Sequence, residues 1–399
     1  MQELSRILKA YTEAASQRVT LATIVKTTGS SYRRPGAQML ILADRTTIGS
    51  ISGGCLEQDV IAHAEKLEAK SESVVLTYDT TFEEDVLFGV GTGCRGAIEI
   101  LVEPASGRDS PASVDRVLAF LSKAVGERRA AVVATVFRTT GALQERIGER
   151  HASDHSGVAF SEIQDLELNA KVVTDCCEAL RNGRSATNRY EVPDGTAEVF
   201  IQVIHAPAAL IIFGAGYDAM PLTRLAKELG YYVTVVDRRP AYATRERFPE
   251  ADAVMVLLPE ETEKLNLNGR TAAVIMSHHY ETDRSYLMAL RDAPLRYLGL
   301  MGPRKRAEKM LQEFPAKGLL AGNAALQRFY NPVGLDIGAE NPGQIALAIL
   351  SEIEAVFSGH SAGFLREKRG PIHARSPIAG KSARRHGHGK RINFTSQPS

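Results

Sequence analysis

The chain has 399 residues, with 48 Lys and Arg against 47 Asp and Glu, 44% hydrophobic residues and four cysteines. That length exceeds one ordinary domain, and the apolar fraction fills full-sized cores. No apolar run nears the roughly 18 residues that cross a membrane, and so few cysteines exclude a disulfide framework. The expectation is a cytoplasmic protein with free thiols that binds neither membrane nor specific nucleic acid.

The N-terminus lacks the basic-then-apolar order of a secretory signal and reads as an amphipathic helix over 3–15. A strand over 19–25 follows, then a polar loop, Gly29 to Gly36, that holds Arg33 and Arg34, and a second strand over 37–43. Next comes Gly-Ser-Ile-Ser-Gly53-Gly54-Cys55-Leu-Glu57. Glycine runs of this kind mark backbone that bends sharply or approaches a ligand. Leu56, Val60, Ile61, Ala64 and Leu67 recur at helical spacing, so Cys55 sits at the start of a helix. A thiol there is favoured as thiolate by the dipole and free amides, so Cys55 can attack, carry a sulfane sulfur or ligate a soft metal. Glu57 can position a proton or a polar ligand edge. A second run, Gly-Val-Gly-Thr-Gly-Cys94-Arg-Gly, opens into a strand over 97–103, and Cys94 closes the same pocket if the sheet brings the two runs together. Neither spacing is Cys-x-x-Cys, which argues against structural zinc; the plain alternative for either cysteine is a small buried hydrophobe. Further strands over 130–137 and 197–204 make 1–205 an α+β domain, with Cys176 and Cys177 as packing residues on a helix and no internal repeat evident.

Beyond Ala206-Pro207 strands and helices alternate, which argues for a doubly wound parallel sheet over 206–360. Ile211-Ile-Phe-Gly214-Ala-Gly216-Tyr-Asp-Ala is strand, G-x-G-x-x-A, then helix, and Asp237 ends the next strand 21 residues after Gly216. This is the dinucleotide fingerprint in its required context. Asp218 opposes a pyrophosphate at the helix start, and Arg238 and Arg239 mix the acidic ribose cue with a basic one. The segment Met276-Ser-His278-His279-Tyr-Glu-Thr-Asp283 has metal-ligand chemistry without a standard spacing, and Asp283 reads as a helix cap. Gly302-Pro-Arg304-Lys305-Arg306 opens a helix with cations, which suits an anion. From Arg366 onward nine Lys and Arg face only Glu367, so the tail carries +8 and the body −7; a basic, disordered extension over 361–399 is expected.

Together the motifs Ala22-Thr-Ile-Val-Lys-Thr-Thr-Gly-Ser-Ser, Arg34-Pro-Gly-Ala, the Cys55 and Cys94 runs, Gly214/Gly216, Val235-Val-Asp-Arg-Arg-Pro and Gly334-Leu-Asp-Ile-Gly-Ala-Glu-Asn-Pro resemble the XdhC/CoxI family. These are maturation factors of xanthine and carbon-monoxide dehydrogenases. The resemblance spans all but the basic tail. It implies a molybdenum-cofactor chaperone, dimeric and non-catalytic, that protects the cofactor while a cysteine desulfurase helps install its sulfido ligand and then hands it to a molybdenum hydroxylase. On that analogy Cys55 and Cys94 are the metal ligands, flanked by Gly53, Gly54 and Glu57. Arg33, Arg34, Gly214, Gly216, Asp237, Arg304 and Lys305 then bind the phosphate, or the nucleotide of a dinucleotide form. Where relatives carry Gly-His after the second Rossmann glycine this chain has Tyr217-Asp218. The alternative function is an NAD(P)-dependent oxidoreductase.

Overall fold

The computed structural model describes residues 2–14, 17–29, 31–68, 72–79, 96–105, 112–143, 147–313 and 328–369. Helix α1 (Gln2–Glu13) precedes β1 (Val19–Gly29), β2 (Gln38–Leu42), β3 (Thr47–Gly49), α2 (Glu57–Glu68), β4 (Val74–Asp79) and β5 (Gly96–Ala105). The strands form an antiparallel sheet in the order β3-β2-β1-β5-β4. The following elements repeat that series one for one: α3 (Ser113–Gly126), β6 (Ala131–Gly141), β7 (Arg150–Asp154), β8 (Gly157–Ser161), α4 (Leu166–Asn182), β9 (Ala186–Val192) and β10 (Gly195–Ile204). Their sheet has the order β8-β7-β6-β10-β9. The expected α+β domain is thus a duplicated lobe, contrary to the reading that no repeat exists.

The match holds residue by residue. A shift of 112 carries Val19 to Ala131, Gly36 to Gly148 and Val60 to Val172, and from β5 onward a shift of 99 carries Glu99 to Glu198. Gly36 donates its amide to the Ile24 carbonyl at 2.8 Å, and Gly148 does the same to Val136 at 2.8 Å. The register of β1 on β5 slips at Val25, and that of β6 on β10 slips at the matching Phe137. A bulge bends its strand and re-aims one side chain. Here both re-aimed side chains enter one small core, Val25, Leu101, Phe137 and Phe200, that lies between the lobes.

Packing explains why β1 and β6 lack alternation: their first seven residues are all buried. In β1, Ala22 and Ile24 face α2, in a core with Val60 and Ala64, while Val19 and Leu21 face the other lobe and the α1/α3 pair. At the bulges Lys26 bonds Glu198 (2.6 Å) and Glu99 (3.6 Å), while its counterpart Arg138 bonds Glu99 (2.5 Å) and Glu198 (3.3 Å). Both carboxylates are largely buried, and each meets one cation from either lobe. Glu198 is held below the usual carboxylate range: its burial acts upward but is outweighed by Lys26 and Arg138.

The remaining chain builds a six-stranded parallel sheet from β11 (Ala209–Phe213), β12 (Tyr232–Asp237), β13 (Ala253–Val256), β14 (Thr271–Ile275), β15 (Tyr297–Leu300) and β16 (Phe329–Tyr330), ordered β13-β12-β11-β14-β15-β16. This is the Rossmann order, with its switch point between β11 and β14. Leu210 and Ile212 join the core under α5 (Ala219–Glu228) and α8 (Pro342–Ser358), while Ile211 and Phe213 join the core under α6 (Tyr280–Leu290) and α7 (Arg304–Gln312). A sheet covered on both faces has continuous apolar strands. Among the described residues no helix is long and apolar enough to cross a membrane, and the expected tail lies outside them from 370 onward.

The polar contacts and the cation–π contact that join the lobes to this sheet lie at the N-terminal ends of its strands. Gln2 and Arg6 bond Glu228 at the C-terminus of α5 (2.9 and 3.3 Å), and Arg128 stacks on Tyr232 at the start of β12. Replacing Glu198 with Ala leaves Lys26 and Arg138 competing for Glu99, with an expected cost of about 1–3 kcal/mol. Urea unfolding of E198A, with K26M and the double variant completing a cycle, measures this; additive single effects would show that the quartet does not couple the lobes.

Candidate functional site

The antiparallel topology brings three loops to one end of the first sheet. β1 ends at Gly29, β2 begins at Gln38, β3 ends at Gly49, β4 ends at Asp79 and β5 begins at Gly96, all at that end. The Arg33/Arg34 loop and the Cys55 loop are therefore neighbours. β4 leaves and β5 enters the sheet at the same end, where Asp79 pairs with Ala97. Cys94 itself lies outside the described residues.

Cys55 is exposed, two residues before α2. Its loop is fastened by Glu57, which accepts hydrogen bonds from the Ser52 amide (2.8 Å), Ser50 Oγ (3.0 Å) and Ser52 Oγ. Ser52 Oγ in turn accepts from the amides of Gly54 (3.1 Å) and Leu56 (3.2 Å), satisfying donors that the helix start leaves free. Partial burial acts to raise the Glu57 carboxyl, but these bonds outweigh it and hold it below the usual glutamate value. Glu57, expected to meet a ligand, is thus occupied in shaping the loop. Gly54 has φ +109° with open space where a side chain would stand, a conformation that disfavours any residue but glycine.

The second lobe shows what this loop replaces. Gly53, Gly54, Cys55 and Leu56 match Asp165, Leu166, Glu167 and Leu168, where Asp165 caps α4 through the Leu168 amide at 2.7 Å and the helix already runs. The first lobe has this turn unwound. The other length difference is 14 residues: β9 and β10 are joined by Pro193-Asp194 alone, β4 and β5 by 80–95. Both cysteine runs fall where the lobes differ. The Tyr78 hydroxyl on Asp59 (2.6 Å) has a counterpart one helical turn further along in the second lobe, where the matching Tyr190 bonds Asp175 (2.6 Å), and both read as strand-to-helix tethers.

Three nearby residues were not anticipated. Glu3 of α1 accepts from the Ser50 amide (2.9 Å) and from the Arg33 guanidinium, so Arg33 is committed to the scaffold while Arg34 is exposed. Tyr32 is 70% exposed, and its ring lies beside Gly53. Ser52 is fully engaged as described. Among the described residues no three His, Cys, Asp or Glu side chains cluster as a metal site.

The other expected residues sit at the C-terminal ends of the parallel strands, away from the lobes. Gly214, at φ +122°, lies against β14's exit: a Cβ there would stand 2.6 Å from the Met276 carbonyl oxygen. Asp237 accepts from the Ala215 amide and from the Arg239 amide and guanidinium, each at 2.9 Å. Its burial acts upward, yet those bonds hold its pKa down. Gly216 packs against the Asp218 carboxylate, and Asp218 bonds His278 at 2.6 Å. Arg304 and Lys305 are exposed at the start of α7. Asp283 is not the expected helix cap. His279 caps α6, while Asp283 is fully buried and accepts from Ser277 (3.0 and 2.5 Å) and Arg306 (2.7 Å). Of the cysteine pair 176–177, Cys176 is buried, its thiol pushed up to about 12 by burial, and Cys177 is exposed.

Two family models match the chain: the XdhC and CoxI family over residues 13–79 and the XdhC Rossmann domain over 210–353. A Bacillus subtilis protein, named as a probable xanthine dehydrogenase subunit, is 32% identical over 364 residues, covering 88% of this chain and 97% of that one. The molybdenum cofactor insertion chaperone PaoD of Escherichia coli is 22% identical over 354 residues, covering 88% and 87%. A crystal structure of a xanthine dehydrogenase from Bacillus halodurans superposes with a TM-score of 0.70 at 28% identity, covering 90% of this chain and 96% of that one.

Glu57 sets an acid limit on the cysteine loop. Its pKa is lower folded than unfolded, so its stabilisation is complete above the unfolded value and is lost as pH falls through the folded one. Protection of the Gly54 and Leu56 amides, taken relative to their intrinsic exchange rates, is expected to fall over that acidic window in the wild type. In E57Q, about 1–2 kcal/mol less stable in this loop, the pH dependence disappears; an unchanged profile would remove Glu57 from the loop's support.

Proposed function

The chain belongs to the XdhC and CoxI family, and from that premise we propose that it is a non-catalytic accessory factor for a xanthine-dehydrogenase-type molybdoenzyme, carrying the molybdenum cofactor on its first lobe. The observation that carries this reading is the exposed Cys55 on an unwound helical turn, built in one lobe and absent from its copy. The donor set fits the cargo. A thiolate suits a soft, sulfur-bound metal, the open face of Tyr32 suits a planar pterin, and the exposed Arg34 suits its phosphate. The similarity to a protein named as a molybdenum cofactor insertion chaperone supports the same reading.

In this proposal Ser52 and Glu57 shape the loop that offers Cys55 to the metal, and Cys94 is the second thiolate ligand. Protection of the cofactor during sulfuration by a cysteine desulfurase, and its transfer to the hydroxylase, use the same open end. The Rossmann crevice opens at the far end of strands roughly 16 Å long, so a cofactor at Cys55 is not spanned by both in one chain. A homodimer enters the reading as the arrangement that sets one chain's crevice against the other's loop. An NAD(P)-dependent oxidoreductase has less support: Asp237, the ribose acceptor of such sites, is saturated by Ala215 and Arg239, and Asp218 stands at the helix start where a pyrophosphate would bind.

Protein purified from cells that make the cofactor is expected to carry molybdenum and releasable pterin. C55A should lose the metal at least about tenfold, or about 1.4 kcal/mol of binding, with an unchanged melting temperature. Equal metal in C55A would remove the thiol from the site; no metal or pterin in either protein would remove the cargo.

A further inference from the structure

The cysteine loop is held from outside its own lobe. Ser50, whose hydroxyl donates to Glu57, also donates its amide to Glu3 in the first turn of α1, at 2.9 Å. Residues four apart share a helix face, and α1 uses two such faces. Glu3 and Ile7 face the exit of β3, where a β-carbon at Gly49 would stand 3.0 Å from Ile7 Cδ1. Gln2 and Arg6 face α5 and donate to Glu228, its last residue, at 2.9 and 3.3 Å. A β-carbon at Gly230 would stand 2.9 Å from the Gln2 amide nitrogen, so the two helix ends meet at backbone range.

Charge accounts for the meeting. The positive end of the α1 dipole stands against the negative end of α5. A carboxylate at a helix C-terminus opposes that dipole, so Glu228 is poorly placed for α5 by itself and well placed for α1. Glu3 lies in the first turn of its helix, where a carboxylate is favoured.

The second lobe shows that this outward contact is an addition. Ahead of β1 the lobes match at a shift of 110, which carries the buried pair Ile7 and Leu8 to Val117 and Leu118. Glu3 then matches Ser113, and Arg6 matches Arg116. There the helix start and the strand exit close on each other: Ser113 donates to Glu162, and Arg116 pairs with the same carboxylate at 3.0 Å. In the first lobe the carboxylate stands on the helix, and Arg6 reaches out to the parallel-sheet half.

We propose that the first turn of α1 is a strut through which the parallel-sheet half positions the Cys55 loop, with Glu228 and Glu3 as its positioning residues. The contacts run from Glu228 to Gln2 and Arg6, through one helical turn to Glu3, and by Ser50 to Glu57 and Ser52, whose oxygen holds the Gly54 and Leu56 amides on either side of the thiol. The bearing of this strut on function rests on the reading of Cys55 as the cargo-bearing residue; the contacts themselves do not.

Amide exchange on the full chain without cofactor tests this, read as protection at Gly54 and Leu56. E228R sets like charges against Arg6 while giving α5 the cation that its C-terminus favours, so the melting temperature is expected to hold. Protection at the two amides should fall about two- to fivefold, the range of an exposed ion pair, with the Leu168 amide of the second lobe unchanged. R6E combined with E228R should restore it, and E3A, which removes the last link, should lower it at least about fivefold. Unchanged protection in E228R, no recovery in the double reversal, or an equal loss at Leu168 would each overturn the strut. Molybdenum content separates the two claims: metal in the wild type without the E228R effect keeps the cargo and removes the strut, and the E228R effect without metal keeps the strut and removes the cargo.

Discussion

The two-lobed half of the molecule depends on one quartet of charges. Lys26 and Arg138 occupy matching positions, as do Glu99 and Glu198, and each cation touches both carboxylates. A largely buried carboxylate is tolerable only when paired, and each glutamate makes its shorter contact with the cation of the other lobe. The bulges at Val25 and Phe137 bend β1 and β6 at the same place and send those two side chains into the shared core. The lobes are thereby crossed and locked, and the ends of the first sheet that carry the loops are fixed in space.

Against that near-symmetry the asymmetries stand out. The helix after β3 begins three residues later than its copy after β8, and the connection before β5 is 14 residues longer than its copy. Gly54 permits the first and Ser52 with Glu57 makes it rigid. Tyr78 on Asp59, which alone would resemble a proton relay beside the thiol, reads as scaffold because the matching Tyr190 makes the same kind of strand-to-helix bond to Asp175, one helical turn along. The duplication acts as an internal control, separating what holds a lobe together from what the first lobe has added.

Much of the parallel-sheet half was legible in the residues. Ile211 to Gly216 reads as strand and turn because both sheet faces are covered and the loop must approach β14. The α+β half was legible only where long buried strands occur, such as β1 and β10. The duplication was not: Ala22-Thr23 and Thr27-Thr28-Gly29 recur as Ala134-Thr135 and Thr139-Thr140-Gly141, but the short β7 and β8 are Arg-His-Ala-Ser-Asp and Gly-Val-Ala-Phe-Ser, without apolar alternation. At the site, the glycine-set Cys55 was readable. Glu3, 47 positions before the amide it holds, and Tyr32 were not, because they meet the loop only through the sheet. The engagement of Asp237 with Arg239 turns on side-chain direction, which spacing does not carry.

The unwound turn also has an arithmetic. A symmetrical pair of lobes would present two equivalent thiol loops, one on each side of the dyad. This chain has retained the pair and kept the loop on one side, with a capped helix on the other. Its second lobe is thus a permanently attached partner that brings no second loop of this kind, so each polypeptide presents one such turn among the described residues, whatever its oligomeric state.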